Sequence, residues 1–100
     1  MSDWTVNEIP ELYGKIALIT GANSGIGYWT AKALAKKGCH IILACRSLDK
    51  SNKAREKLLN SMPNALLSTM ELDLSNLDNV REKTIDLIKN YDRLDLLINN

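Results

Sequence analysis

Uncompensated charge is scarce in this sequence. Thirteen lysines and arginines stand against 12 acids, a net charge of +1. A chain so near neutrality lacks the electrostatic pull that binding to nucleic acid or an anionic lipid surface calls for. Long apolar runs are missing too, since none approaches the ~18 residues of a membrane span. The opening stretch MSDWTVNEIPELYG lacks the basic-then-apolar layout of a signal peptide, and no glycine stands second to take a myristoyl chain. Cysteine is limited to Cys39 and Cys45. A strand over residues 38–46 would hold them at its opposite ends, too far apart to bridge. Reduced thiols and a cytoplasmic setting are therefore expected. His40, the one histidine, forms no zinc-ligand spacing with them. No internal repeat, low-complexity tract or linker is visible. One domain over residues 1–100 is expected, with 1–13 as an N-terminal extension.

What is present alternates between two kinds of segment. Residues 15–20 (KIALIT) form a short apolar run between glycines and read as a buried strand. Residues 25–37 carry small and apolar side chains at helical spacing, with lysines opposite, and Gly38 follows as a C-terminal stop. Residues 40–45 (HIILAC) read as a second buried strand. Residues 48–61 are charged and helix-prone, closed by Pro63. Residues 65–72 (ALLSTMEL) read as a third strand. Ser75 to Asp78 resembles a capping box, with Asp in place of Glu. A helix over 77–91 then has Leu77, Val80, Thr84, Leu87 and Ile88 as its apolar stripe, and 94–98 (LDLLI) reads as a fourth strand.

The order β-α-β-α-β-α-β, with strands apolar on both faces, implies a parallel sheet covered on both sides. The expected class is α/β, a partial Rossmann-type doubly wound sheet with strand order 3-2-1-4. Its winding reverses between strands 1 and 4, which opens a crevice at the strands' C-terminal ends.

The glycines of TGANSGIG sit in the right context for that crevice, directly after the first strand and opening the first helix. Gly21 permits a sharp exit from the strand, Gly25 lets backbone approach a phosphate, and Gly27 lets the helix pack close to the sheet. First-turn amides and the helix dipole favour a pyrophosphate there. The spacing is Gly-x-x-x-Gly-x-Gly, one residue longer in its first gap than the usual dinucleotide fingerprint. The bland alternative is a strand–helix turn that holds no ligand.

Residues Thr20 to Gly27 resemble the cofactor signature of the short-chain dehydrogenase/reductases. Arg46 after the second strand, Asp73-Leu74 at the end of the third and Asn99-Asn100 at the end of the fourth agree with that family in order. The pairing of TGANSGIG with Ala44-Cys45-Arg46 is most similar to its retinol-dehydrogenase-like branch. The resemblance runs from about Leu12 to the end. It implies an oxidoreductase moving a hydride between NADP(H) and a carbonyl or alcohol substrate, apolar in that branch. It is also compatible with a homo-oligomer for a full-length protein.

The cofactor contacts it implies are Gly21, Asn23, Ser24, Gly25, Ile26 and Gly27 in the loop, with Arg46, Asp73, Leu74 and Asn99. NAD-dependent relatives place an acid at the end of the second strand, a position matched here by Cys45. Arg46 next to it suits a 2′-phosphate, so NADP is expected over NAD. A solvated strand-end arginine is the alternative. Asp73 is implied as acceptor of the adenine amino group, or else as a residue that helps start the next helix. Asn23 and Ser24 are also ordinary turn residues. Asn99 is implied near the cofactor's ribose.

The family's catalytic pair is Tyr-x-x-x-Lys with a serine upstream. Tyr28-Trp-Thr-Ala-Lys32 matches the letters but sits on the first helix, beside the phosphate loop. From there it does not reach the hydride-bearing ring. Tyr28 and Trp29 are expected to pack under the sheet or at the loop's edge, and Lys32 to be solvated. No catalytic residue is assigned within the 100 residues, and no metal ligand. Two further readings stand beside the enzyme: a nucleotide- or partner-binding module without turnover, and an inert fragment. The open fourth strand is an expected bare sheet edge.

Overall fold

Short apolar segments here are flanked by glycine or polar turns, so each is long enough for one buried strand and too short for a helix. The computed structural model describes residues 10–23, 25–91 and 93–100. The expectations for residues 1–9 and for Ser24 fall outside them. The strands are β1 Ile16–Thr20, β2 His40–Cys45, β3 Leu67–Glu71 and β4 Leu96–Ile98. They alternate with α1 Gly25–Lys36, α2 Leu48–Ser61 and α3 Leu77–Asn90. The sheet order is β3-β2-β1-β4 and every pairing is parallel, the doubly wound arrangement expected.

The pleat divides the strand residues between two faces. Ala17, Ile19, Ile41, Leu43 and Leu67 join Ala31 and Leu34 of α1 and Leu58 of α2 in one cluster. Leu18, Ile42 and Ala44 face the other way, where Leu87 and Tyr91 pack. Full burial of an Ile or Leu side chain contributes about 1.5–3 kcal/mol, so β1 and β2, buried almost throughout, anchor the domain.

Helix ends follow local chemistry. At the end of α1, Gly38 takes φ +90, with its N–H on the Ala35 carbonyl and the Cys39 N–H on that of Leu34. This is a Schellman turn, which favours glycine. The Tyr13 ring lies against Gly38, and Leu12 donates to the Lys37 carbonyl. The last residues of the extension are therefore bound to the domain. Ser47 caps α2 through its hydroxyl, which accepts from the Lys50 N–H.

Several expectations are corrected. The cap of α3 is Asn76, which accepts from the Asn79 N–H; Ser75 instead turns its hydroxyl onto the Asp73 carboxylate. The α3 stripe is divided. Val80 and Leu87 are half-buried while Leu77, Thr84 and Ile88 are exposed, because Leu18, Ile42 and Ala44 offer a narrow seat. β4 begins at Leu96 rather than at 94, since the Asp95 carboxylate replaces a ladder partner by accepting from the Ile16 N–H. β3 spans 67–71 rather than 65–72, because the Ala65 N–H turns back to the Met62 carbonyl. Of the two alternatives for Trp29, its 41% exposure goes against packing under the sheet, and Lys32 is half-buried rather than solvated.

Candidate coenzyme-binding site

The C-terminal ends of β1, β2 and β4 meet at the glycine loop. Gly21 leaves β1 with its N–H on the Ala44 carbonyl, so the loop begins tied to β2. From the other side, Asn100 donates its side-chain amide to the Gly21 carbonyl across 3.1 Å and its backbone N–H to Thr20 Oγ1 across 3.0 Å. The Thr20 hydroxyl donates to Asn99 Oδ1 at 3.0 Å. The turn that opens α1 is thereby held by both neighbouring strands.

The glycines within it serve different ends. Gly25 has φ +60, and a Cβ added there would meet nothing within 4 Å. The space beside it is open, as an approaching phosphate requires. Gly27 is closed in. A Cβ there would lie 2.5 Å from the Gly21 carbonyl oxygen and 2.6 Å from Asn100 Nδ2. The first turn of α1 holds no acid, unlike those of α2 and α3, so nothing on it opposes an anion.

A cavity of about 370 Å³ lies between the loop, the end of β2 and the segment after β3. Five of the sequence-derived residues line it together: Gly21, Asn23, Arg46, Asp73 and Leu74. Gly25, Ile26 and Gly27 lie off its walls, Ile26 exposed and Gly27 buried beneath the loop. Asn99 lines a separate groove between β4 and α3, while Asn100 reaches the cavity. Cys45 is buried at its floor, and Arg46 is exposed at its side.

Asp73 lies two residues beyond β3. Its carboxylate accepts from the Ser75 N–H at 3.0 Å and the Ser75 hydroxyl at 2.6 Å. These bonds hold its pKa below the usual carboxylate value, with a smaller contribution from the Arg46 charge. Its own N–H is held by Asn79 Oδ1. Asp73 is thus both a fixed anion in the cavity and part of the entry into α3.

Sequence reasoning assigned no cofactor contact to Lys50, Ser75, Thr20 or Asn100, all of which line this cavity. Lys50, in the first turn of α2, brings a second cation to the cavity that Arg46 lines from the segment before the helix. Open space at Gly25, two cations and a fixed carboxylate suit the adenosine and phosphate portion of a nucleotide.

The model of the family described as short chain dehydrogenase matches residues 15–100. The chain belongs to this family. A short chain dehydrogenase/reductase of Colletotrichum higginsianum is 41% identical over 98% of this chain and 25% of that protein. Human retinol dehydrogenase 13 is 41% identical over 87% of this chain and 26% of its own length. Among solved structures, the NADP active-site complex of RhlG from Pseudomonas aeruginosa superposes with a TM-score of 0.80 at 29% identity, over 90% of this chain and 35% of that one. The chain spans about a quarter of the length of the two curated relatives. Its short chain dehydrogenase fold, and the likeness to the retinol-dehydrogenase-like branch, thus agree with the motif order in the sequence.

Tyr28 packs on the cluster between the sheet and α1, and the Lys57 ammonium stands 4.8 Å from its ring centroid.

Proposed function

We propose that this chain is the coenzyme-binding part of an NADP(H)-dependent short-chain oxidoreductase that moves a hydride between NADP(H) and a carbonyl or alcohol. NADP(H) supplies the hydride chemistry when bound. The chain's own residues bind and orient the adenosine side. The loop from Gly21 to Gly27 cradles the diphosphate, with Asn23 and Ser24 along it. Asp73 and Leu74 border the adenine, and Asn99 supports the ribose end. The Ser and Tyr-x-x-x-Lys of the family have no counterpart placed for chemistry here, so in this reading turnover draws on residues outside these 100.

The observation that carries the proposal is the cation pair Arg46 and Lys50 on one cavity, with Cys45 where NAD-dependent relatives carry an acid. A guanidinium forks onto a 2′-phosphate, and Cys45 offers no carboxylate beside it. A hydrogen bond to a charged group contributes about 1.5–3 kcal/mol, roughly ten- to a hundred-fold in affinity. Solvent exposure of Arg46 moves the expected effect toward the lower end.

NADPH and NADH titrations of the chain and of Arg46→Ala test it. NADPH binds more tightly than NADH to the parent chain, and the substitution removes most of that preference. An unchanged ratio in Arg46→Ala refutes the NADP assignment.

A further inference from the structure

The cavity holding Arg46 continues past α2. A shallower groove of about 200 Å³ shares Asn23 and Lys50 with it and adds Tyr28, Lys53 and Lys57. Within α2, Lys50, Lys53 and Lys57 follow steps of three and four, the spacing that aligns side chains along one helical face, while Arg46 stands before the extended Ser47 cap and joins them on the cavity wall. Asp49 and Glu56, the acids of α2, fall about a quarter turn to one side at 3.6 residues per turn. Asp49 reaches Lys53 at 3.1 Å and compensates part of its charge. Lys57 is held differently. Its ammonium stands 4.8 Å from the Tyr28 ring centroid, an attraction that fixes the charge in the groove without cancelling it. Among the described residues neither Lys50 nor Lys57 enters an ion pair.

We propose that this row is a steering track for the coenzyme's 2′-phosphate, with Lys57, seated on Tyr28, as a specificity-determining residue that acts on the rate of capture. The inference rests on the NADP(H) reading above and adds how the site selects. Lys57 lies seven residues from Lys50, about 10 Å along the helix axis. That matches the screening length of ~10 Å at 0.1 M salt and is well inside the ~30 Å at 0.01 M. Lys57 therefore draws in an approaching anion at low salt and favours the encounter and the bound state by the same small amount, so that its effect is read in association and not in dissociation. A coenzyme carrying the additional 2′-phosphate, about two more negative charges at neutral pH, gains more than one without it. Discrimination thereby begins before docking.

Stopped-flow association of NADPH and of NADH with the full chain, its Lys57→Gln variant and its Tyr28→Phe variant tests this. At low ionic strength Lys57→Gln slows NADPH association about two- to threefold and NADH association less, with dissociation unchanged. The difference closes at high salt. Tyr28→Phe keeps the ring and behaves as the parent, and Lys57→Arg restores the rate. Normal NADPH binding with Lys57→Gln association unchanged, or with a change confined to dissociation, overturns the track alone. Absence of NADPH binding by the parent chain overturns the track together with the NADP(H) reading.

Discussion

Thr20 and Asn100 stand 80 positions apart and share a hydrogen bond of 3.0 Å, from the Asn100 backbone N–H to Thr20 Oγ1. The same hydroxyl donates to Asn99 Oδ1. One side chain at the end of β1 thus ties down the end of β4 at the mouth of the coenzyme cavity. Thr20 is 6% exposed, while Asn99 and Asn100 are exposed and can turn to water when the hydroxyl is lost. Thr20→Val keeps the shape and removes both bonds, at a cost of about 0.5–1.5 kcal/mol each. Urea denaturation checks this. Thr20→Ser recovers most of the loss; a valine variant as stable as the parent contradicts the role given to the hydroxyl.

Gly25 and Gly27 respond differently to alanine. At Gly27 the new methyl meets the Gly21 carbonyl oxygen and Asn100, so the loop or β4 must shift, at about 1–3 kcal/mol for overpacking. At Gly25 the space is open and the penalty is the left-handed backbone, about 1–2 kcal/mol. Its methyl also stands where a phosphate would approach. Gly25→Ala is therefore expected to lose NADPH affinity beyond what its stability loss explains, by roughly tenfold for each 1.4 kcal/mol of lost contact. Paired denaturation and NADPH titration of the two variants separate the effects.

His40 makes the fold sensitive to mild acid. Its Nε2 pairs with Ser68 Oγ at 2.7 Å, Tyr91 donates its hydroxyl to the same oxygen, and the His40 and Tyr91 rings meet edge to face. Burial lowers the His40 pKa from its ordinary 6.5. The folded chain thus prefers the neutral ring, and the unfolded chain takes up a proton first. Stability from this source is complete above the unfolded pKa and declines as pH falls from there through the folded value. Urea midpoints at neutral pH and at mildly acidic pH give the slope, and His40→Gln flattens it. An equal slope in that variant assigns the acid sensitivity to other groups.

Cys39 is predicted to be an inert thiol. Burial, with the Asp95 charge behind it, pushes its pKa up to about 11. A pKa raised in the fold contributes stability that is fully present below the unfolded value of 9.0 and is lost as pH rises through about 11. In a Cys45→Ser background, Cys39 reacts with a disulfide reagent at pH values below 9.0 only as fast as the chain opens, and addition of urea accelerates labelling. Rapid labelling of the folded chain contradicts the prediction.

Legibility in the sequence followed how locally each feature is determined. The spans of β2 and α2 were readable to the residue, because an apolar run and a charged, helix-prone segment closed by Pro63 are local signals. β4 was not. Its first residues look like strand, but Asp95 turns its carboxylate onto the Ile16 N–H, a contact that arises only once β1 lies alongside. The exposure of Trp29 and of Ile88 was equally hidden, since a helical period says which residues share a side and not how wide a seat the sheet provides. In the site, the glycines, Arg46 and Asp73 were legible from motif order. Asn100 was passed over in favour of Asn99, because which of two adjacent asparagines turns toward the loop depends on the pleat at the end of β4.

The most direct test of the central claim is phosphorus NMR of NADPH titrated with the full chain. The account predicts that the diphosphate and 2′-phosphate resonances both move on binding, and that Arg46→Ala abolishes the 2′ shift while the diphosphate shift remains. A 2′ resonance indifferent to the parent chain, or a diphosphate that does not respond to it at all, contradicts a loop that cradles phosphate beside Arg46.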